Sequence, residues 1–206
     1  MAGFSLVETL VSLSLGLTVA SSILQALFWQ EQMNQGLTRL MRERALQQRT
    51  LTLIAADVAR AQRISTSPQS ETAACPLAGR LPVLHLDTAA GPITYSLGTA
   101  PSAIWRGKVL MRCGPAFNLE GELTLGSEAQ NRVVLDGLPG QATPWTGCAS
   151  LLSGDAGSDL AGSAGHGFSA CVDAPGLLVG LRLEQEIGGS NRTQRISSER
   201  LASRTP

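Results

Sequence analysis

The chain has few aromatic residues and no excess of either charge. Aromatic residues make up 4% of its 206 residues, and 16 basic side chains balance 16 acidic ones to a formal net charge of zero. A nucleic-acid-binding surface needs a basic excess, and a platform for single strands needs aromatic side chains for base stacking. The composition therefore gives no support for a nucleic-acid partner.

Charged side chains are missing from residues 9–30. A helix of this length spans roughly 33 Å, enough to cross a bilayer core of about 30 Å. A secretory signal peptide fits poorly, because it has a basic n-region, a shorter apolar run and a small-residue cleavage site. A plain signal anchor explains the run but leaves Gly3 and the carboxylate of Glu8 without a reason. A soluble protein with a buried core helix is the third alternative.

Ahead of this run, residues 1–8 read MAGFSLVE, with a glycine, a phenylalanine and then a glutamate. The pattern resembles the N-terminus of type IV prepilins and type II secretion pseudopilins. The resemblance implies that residues 1–3 are a leader and that a prepilin peptidase cuts between Gly3 and Phe4. It also implies N-methylation of Phe4, and that the chain is a structural subunit and not itself an enzyme.

Glu8 has a defined role in this resemblance, as an assembly residue. In the family, the carboxylate of an incoming subunit pairs with the N-terminal amine of a neighbour already in the filament. Two charges in an apolar core are tolerated when they neutralise each other. Residues 4–29 would then be the transmembrane and assembly helix of a type IV pilus or a type II secretion pseudopilus. The partners implied are other subunits, the inner-membrane assembly platform and membrane lipid.

The expected location follows from the same resemblance. The precursor is a single-pass protein of the inner membrane with an extracytoplasmic C-terminal domain, and it later joins the pilus or pseudopilus. The size of the chain favours a low-copy minor or tip subunit over the major one. The competing interpretation is an uncleaved, signal-anchored extracytoplasmic binding module or enzyme. The sequence leaves open whether the system serves adhesion, twitching, DNA uptake or protein secretion.

The composition changes near residue 65, since all ten prolines and nearly all glycines follow it. Residues 30–64 repeat apolar side chains at three- and four-residue steps, which predicts an amphipathic continuation of the helix. Residues 65–206 contain short runs of alternating apolar and polar residues, which predict half-buried antiparallel strands. The expected fold is α+β and pilin-like, with a long N-terminal helix packed on a C-terminal antiparallel β-sheet domain.

Alternating patterns and short apolar runs bounded by turns predict the positions of the strands. The expected strands cover residues 80–87, 92–97, 103–112, 119–125, 133–135, 177–187 and 196–204. The runs 93–97 and 104–106 together resemble a hairpin of minor pilins. Residues 137–175 have little periodicity and are rich in Gly, Ser and Ala, so they are predicted to form one long, functional or mobile loop.

Four cysteines, at positions 75, 113, 148 and 171, allow three disulfide connectivities. An exported domain lies in an oxidising compartment, so two disulfides are expected. The pair Cys148–Cys171 is favoured because it closes the Gly/Ser-rich segment, and Cys75–Cys113 follows by elimination. Four free, buried cysteines are the alternative. The spacings do not resemble a zinc site.

Neither histidine is expected to be catalytic. His85 is predicted to be a surface or rim residue. His166 precedes Asp173 closely, but no Gly-x-Ser-x-Gly elbow accompanies them, so a hydrolase is not expected. Some secretion pseudopilins bind calcium through loop carboxylates, which makes calcium the ion to consider for Asp155, Asp159 and Asp173. Their spacing lacks that of a calcium loop, so a solvated loop with no metal or cofactor is favoured.

Overall fold

A computed structural model describes residues 5–65, 74–77, 79–152, 165–188 and 193–205 of the chain. It confirms the predicted α+β architecture of a long N-terminal helix followed by an antiparallel β-sheet domain. The elements are α1 (Leu6–Ala59), β1 (Ala61–Ser65), β2 (Leu81–Thr88), β3 (Gly91–Thr99), β4 (Lys108–Gly114), β5 (Gln130–Leu138), α2 (Cys148–Leu151), β6 (Phe168–Val172), β7 (Leu178–Gly188) and β8 (Thr193–Ser203).

The chain divides into two compact units, Met1–Glu43 and Arg44–Pro206. The first unit contains the N-terminal part of α1. The second contains the rest of α1 and two antiparallel sheets, one with the strand order β1-β2-β3-β4-β5 and one with the order β6-β7-β8. Within each sheet, strands that follow one another in the chain are hydrogen-bonded antiparallel neighbours.

Within the second unit, α1 buries one face in the core. Leu51, Ile54 and Val58 are fully buried there, at the three- and four-residue steps that place side chains on one side of a helix. They belong to a core cluster with Tyr95 of β3 and Phe168 of β6, whose rings lie 6.3 Å apart. The core therefore joins α1 to strands of both sheets.

The helix ends earlier than predicted. Residues 61–65 form β1, which pairs with β2 through Arg63 opposite Asp87 and Ile64 opposite Leu86. The prediction of a helix to residue 64 was wrong because buried Ala61 and half-buried Ile64 suit a strand as well as a helix. Over so short a stretch, the helical and strand periodicities cannot be told apart.

The predicted strand at residues 119–125 is a loop with one isolated bridge. Gly121 and Gly126 adopt positive φ angles of 81° and 70°, which break the extended conformation. Leu119 is completely exposed and Leu125 is 74% exposed. The alternation of leucine with polar residues in this segment therefore does not mark a buried strand face.

Two other strand predictions needed correction. The strand expected at 103–112 begins at Lys108, and Ile104 lies in the preceding turn with 79% of its surface exposed. The loop expected at 137–175 contains the short helix α2 and the strand β6, all five of whose residues are buried. A five-residue buried strand has too few positions to show a period. The predicted strands at 80–87, 92–97, 133–135, 177–187 and 196–204 correspond to β2, β3, β5, β7 and β8.

Candidate membrane and assembly segment

Residues 6–30 of α1 present large apolar side chains on all sides of the helix. Their exposed fractions range from 52% at Val11 to 76% at Leu6 and Trp29. The most apolar 18-residue window of α1 has a mean hydropathy of 1.8, and none of that window is buried within the described chain. The helix is long and apolar enough to span a membrane. Continuous apolar surface of this kind calls for a cover of lipid or of other helices.

Five hydroxyl groups in this segment find hydrogen-bond partners inside the helix. Each donates to a backbone carbonyl three or four residues earlier, at distances of 2.5–2.9 Å. In lipid no water replaces a missing partner, so internal bonds of this kind lower the cost of burial. The hydroxyls concerned are those of Thr9, Ser14, Thr18, Ser21 and Ser22.

Glu8 is the single charged residue between positions 5 and 30. It lies in the first turn of α1, and its backbone N–H donates to the carbonyl of Ser5 at 3.0 Å. The free N–H groups of a helix N-terminus favour a negative charge at this position. No ion pair or side-chain hydrogen bond links the Glu8 carboxylate to another described residue. Gly3 and Phe4, the predicted cleavage and methylation residues, lie outside the described residues.

All four cysteines are paired, Cys75 with Cys113 and Cys148 with Cys171, the connectivity favoured from the sequence. The first disulfide ties the segment before β2 to β4. The second ties α2 to β6 and packs with Trp145 in a small apolar cluster. Two disulfides in one domain are typical of proteins that fold in an oxidising compartment.

A buried ion pair joins α1 to the five-stranded sheet, and the sequence analysis missed it. Arg112 of β4 donates from Nε to Asp57 Oδ2 at 2.7 Å and from Nη2 to Asp57 Oδ1 at 3.3 Å. Tyr95 Oη donates to Asp57 Oδ2 at 2.6 Å. Asp57 and Tyr95 are fully buried, and Arg112 is 5% exposed. The arrangement satisfies the buried carboxylate on two sides, as such a group requires.

The buried network changes the acidity of its tyrosine. Burial, followed by the negative charge of Asp57 and its hydrogen bond, raises the pKa of Tyr95 well above the usual value of about 10. The remaining contacts of Arg112 are a bond from Nη1 to the Pro115 carbonyl at 3.0 Å and the ring of Phe117, 4.6 Å away. The position of Asp57 on the apolar face of α1 was the available sequence signal.

A second buried pair holds the segment before α2 against the three-stranded sheet. Arg182 and Glu184 of β7 form an ion pair in which both side chains are almost completely buried. Arg182 Nη1 donates to the carbonyl of Thr143 at 2.6 Å, and the Thr143 N–H donates to Glu184 Oε1 at 3.3 Å. Trp145 Nε1 donates to Glu199 Oε1 at 2.9 Å. Arg182 and Glu184 are thus engaged in contacts within the fold, which gives the buried pair a structural role.

His85 is buried, so its prediction as a surface or rim residue was wrong. Its Nδ1 lies 2.8 Å from Thr94 Oγ1 and its Nε2 lies 3.3 Å from Asp87 Oδ1, both within the five-stranded sheet. Asp173 Oδ1 accepts the N–H groups of Leu177 and Leu178 at 2.7 and 2.9 Å. Asp173 thus stabilises the turn between β6 and β7.

The geometry around His166 does not form a catalytic triad. The hydroxyl of Ser169 donates to the His166 backbone carbonyl at 3.3 Å, and Asp173 is engaged in its turn. Burial and the nearby charge of Lys108 lower the pKa of His166. Asp155 and Asp159 lie outside the described residues. In the part of the chain that the structure describes, no three His, Cys, Asp or Glu side chains are grouped to hold a metal.

Comparison with protein-family models, with curated proteins and with solved structures finds no match to this chain. What the chain does is therefore argued from its own residues. Two features are the most informative: the uncharged, exposed segment 9–30 of α1 with one carboxylate just before it, and a disulfide-bonded antiparallel domain.

Proposed function

We propose that the chain is a minor pilin or pseudopilin, a structural subunit that assembles through α1 after cleavage between Gly3 and Phe4. The observation that carries the proposal is the position of Glu8 in the first turn of α1, directly before the uncharged and exposed residues 9–30. A carboxylate in an apolar environment is costly unless a positive charge pairs with it. The methylated amine of Phe4 on a neighbouring subunit supplies that charge in this proposal.

The domain after α1 supports an extracytoplasmic location. Its two disulfides, Cys75–Cys113 and Cys148–Cys171, are stable in an oxidising compartment and are rare in the cytosol. The precursor would therefore cross the inner membrane once, with residues 4–29 in the bilayer and the disulfide-bonded domain outside. Its partners in assembly are the prepilin peptidase, other subunits and the assembly platform. The chain itself is proposed to be a substrate of the peptidase and not an enzyme.

N-terminal processing is the first test. The full chain is purified from membranes of its own cells, and its N-terminal peptide and intact mass are measured. We expect an N-terminus at Phe4 that carries one additional methyl group. Gly3→Leu is expected to retain the leader, because it changes the residue directly before the proposed cleavage site. A wild-type chain that begins at Met1 or Ala2, in cells whose other pilins are processed, contradicts the proposal.

Incorporation into filaments is the second test. Glu8→Gln removes the charge with little change of shape, and Glu31→Gln removes the charge at the other end of the uncharged run as a matched control. We expect the Glu8 variant to be cleaved normally yet to be missing from sheared filaments, while the Glu31 variant is incorporated. An uncleaved signal-anchored module predicts instead that the Gly3 and Glu8 changes are both silent.

A further inference from the structure

The connection between β4 and β5 contains an internally hydrogen-bonded loop with exposed leucines, residues 116–128, here called the acidic loop. The Thr124 N–H donates to the carbonyl of Ala116 and the Asn118 N–H to the carbonyl of Glu122, both at 2.8 Å. The Asn118 side chain accepts the Glu122 N–H at 2.7 Å. These bonds fix the loop while Leu119 at its tip remains completely exposed.

The charge of the acidic loop is of one sign. It contains Glu120, Glu122 and Glu128 and has no basic residue. Glu122 lies 3.7 Å from the guanidinium of Arg60, so one of the three carboxylates is partly balanced within the chain. A completely exposed leucine beside uncompensated glutamates fits a partner with an apolar pocket and a basic rim.

The chain itself carries such a pocket beside the loop. Its volume is about 310 Å³, at the lower end of the range for ligand pockets and suited to a side chain. Leu53, Phe117, Val133 and Val134 provide apolar walls, and the exposed Arg132 lies among the lining residues. Within the described residues, the Oε1 atom of Gln130 in this lining is buried without a hydrogen-bond partner. An occupant that donates an N–H would satisfy it.

We propose that the acidic loop of one copy docks into this pocket of a second copy of the chain, with Leu119 inside and Glu120 beside Arg132. A second copy is the occupant because pocket and loop are complementary in polarity and charge. They also lie side by side, since Phe117 belongs to both. A surface patch that carries both the loop and the pocket is self-complementary. In two copies related by a twofold axis, the loop of each copy can therefore bind the pocket of the other. Because hydrogen bonds within the loop restrain its conformation, docking costs less conformational entropy than for an unrestrained loop.

The proposal goes beyond the assembly role of α1, and its test separates the two. Full-length chains labelled with 14N and 15N are mixed in detergent micelles, each with a photo-crosslinking residue in place of Leu119. Crosslinked peptides that combine the two isotopes report contacts between copies, whichever part of the chain brings them together. We expect mixed-isotope crosslinks from position 119 to residues 130–134 and to Leu53.

Charge reversal makes the test specific. Arg132→Glu or Glu120→Arg alone is expected to lower the yield of mixed crosslinks roughly fivefold, the scale of one exposed ion pair. The two changes together are expected to restore it. These side chains are exposed, so the core is unaffected. A photo-crosslinker at Ile104, which is 79% exposed at another loop, is the control and should not label the pocket. Crosslinks from 119 within single copies only, or mixed crosslinks insensitive to both reversals, overturn the proposal.

Discussion

Two carboxylates of α1, those of Asp57 and Glu8, differ in burial and in whether a positive side chain pairs with them. Asp57 is fully buried and is bound by Arg112 and Tyr95 of the same chain. Glu8 lies in the first turn of the helix among exposed apolar side chains, and no described residue pairs with it. Both carboxylates lie in apolar surroundings, but only Asp57 has a positive partner among the described residues.

The difference indicates where each carboxylate acts. A buried charge whose partners come from its own chain is a structural element of the fold, because the partners are in place once the chain has folded. A charge on a surface that lipid or other helices must cover acts when a partner from another molecule reaches it. The two residues are therefore expected to respond to substitution in different assays.

The largest effect on folding is expected at Asp57. Asp57→Asn leaves the guanidinium of Arg112 buried without a counter-charge, which should cost about 3–5 kcal/mol of unfolding free energy. Urea unfolding of the full chain in micelles measures it. Asp87→Asn is the matched control, because the Asp87 side chain is 46% exposed and its change should cost less than about 1 kcal/mol.

A double substitution sharpens the same point. Asp57→Leu with Arg112→Met removes both charges, and it is expected to recover part of the stability lost in Asp57→Asn, less the cost of the buried Tyr95 hydroxyl, which loses its acceptor. If the double variant is more stable than Asp57→Asn, the stability lost in Asp57→Asn is the cost of leaving Arg112 buried without a counter-charge. Equal losses in Asp57→Asn and Asp87→Asn, or a double variant as unstable as the sum of its single changes, contradict this account of the network.

The covalent link next to Arg112 is expected to have a similar effect. Cys113 follows Arg112 in β4, and its disulfide closes 38 residues of sequence, against 23 for Cys148–Cys171. The chain-entropy model then gives about 4 kcal/mol for the first disulfide and about 3.5 kcal/mol for the second. Unfolding of the two paired Cys→Ser variants measures both. A larger loss for Cys148→Ser with Cys171→Ser would reverse the expected order.

Alkaline pH tests the tyrosine of the network by itself, since Tyr95 is the only tyrosine in the chain. Burial raises its pKa in the folded state, so the folded chain keeps a proton that the unfolded chain loses above about pH 10. The stabilisation is fully present below about pH 10. Above it, stability should fall by up to about 1.4 kcal/mol per pH unit.

Tyr95→Phe is the control for this pH dependence. It loses the bond to Asp57 and should be less stable at neutral pH by about 1.5–3 kcal/mol. Its stability should then decline less steeply above about pH 10, so the two curves converge. Urea unfolding at several pH values, followed by tyrosinate absorbance in the wild type, gives the comparison. If stability falls equally with pH in the wild type and in Tyr95→Phe, ionisation of Tyr95 does not cause the loss of stability at alkaline pH.

The contrast between Glu8 and Asp57 also separates what the sequence predicts, which is local patterns, from what it does not, which is contacts between distant residues. The uncharged run, the carboxylate at its start and the alternation of β7 are local patterns, and each predicts its element without knowledge of distant contacts. The Asp57–Arg112 pair joins residues 55 positions apart. Such a partner becomes visible only when the sheet places β4 beside α1.

The missed elements have the same physical origin. Residues 119–125 alternate like a strand, but Gly121 and Gly126 turn the chain and expose Leu119. The strand β6 lies in a glycine-rich stretch and is defined by its pairing with β7, from Phe168 opposite Leu183 to Val172 opposite Val179. Local periodicity measures what a segment prefers, whereas these two segments follow their turns and partners.

The smallest effect on folding is expected at Glu8, and this prediction completes the contrast with Asp57. Glu8→Gln breaks no bond among the described side chains, so the unfolding free energy of the chain in micelles should change by less than about 0.5 kcal/mol. Its effect should appear only where other subunits are present, as a loss from filaments. A loss of stability comparable with that of Asp57→Asn would place the partner of Glu8 in its own chain. A stable variant that is also incorporated normally would remove the reason for a carboxylate at this position.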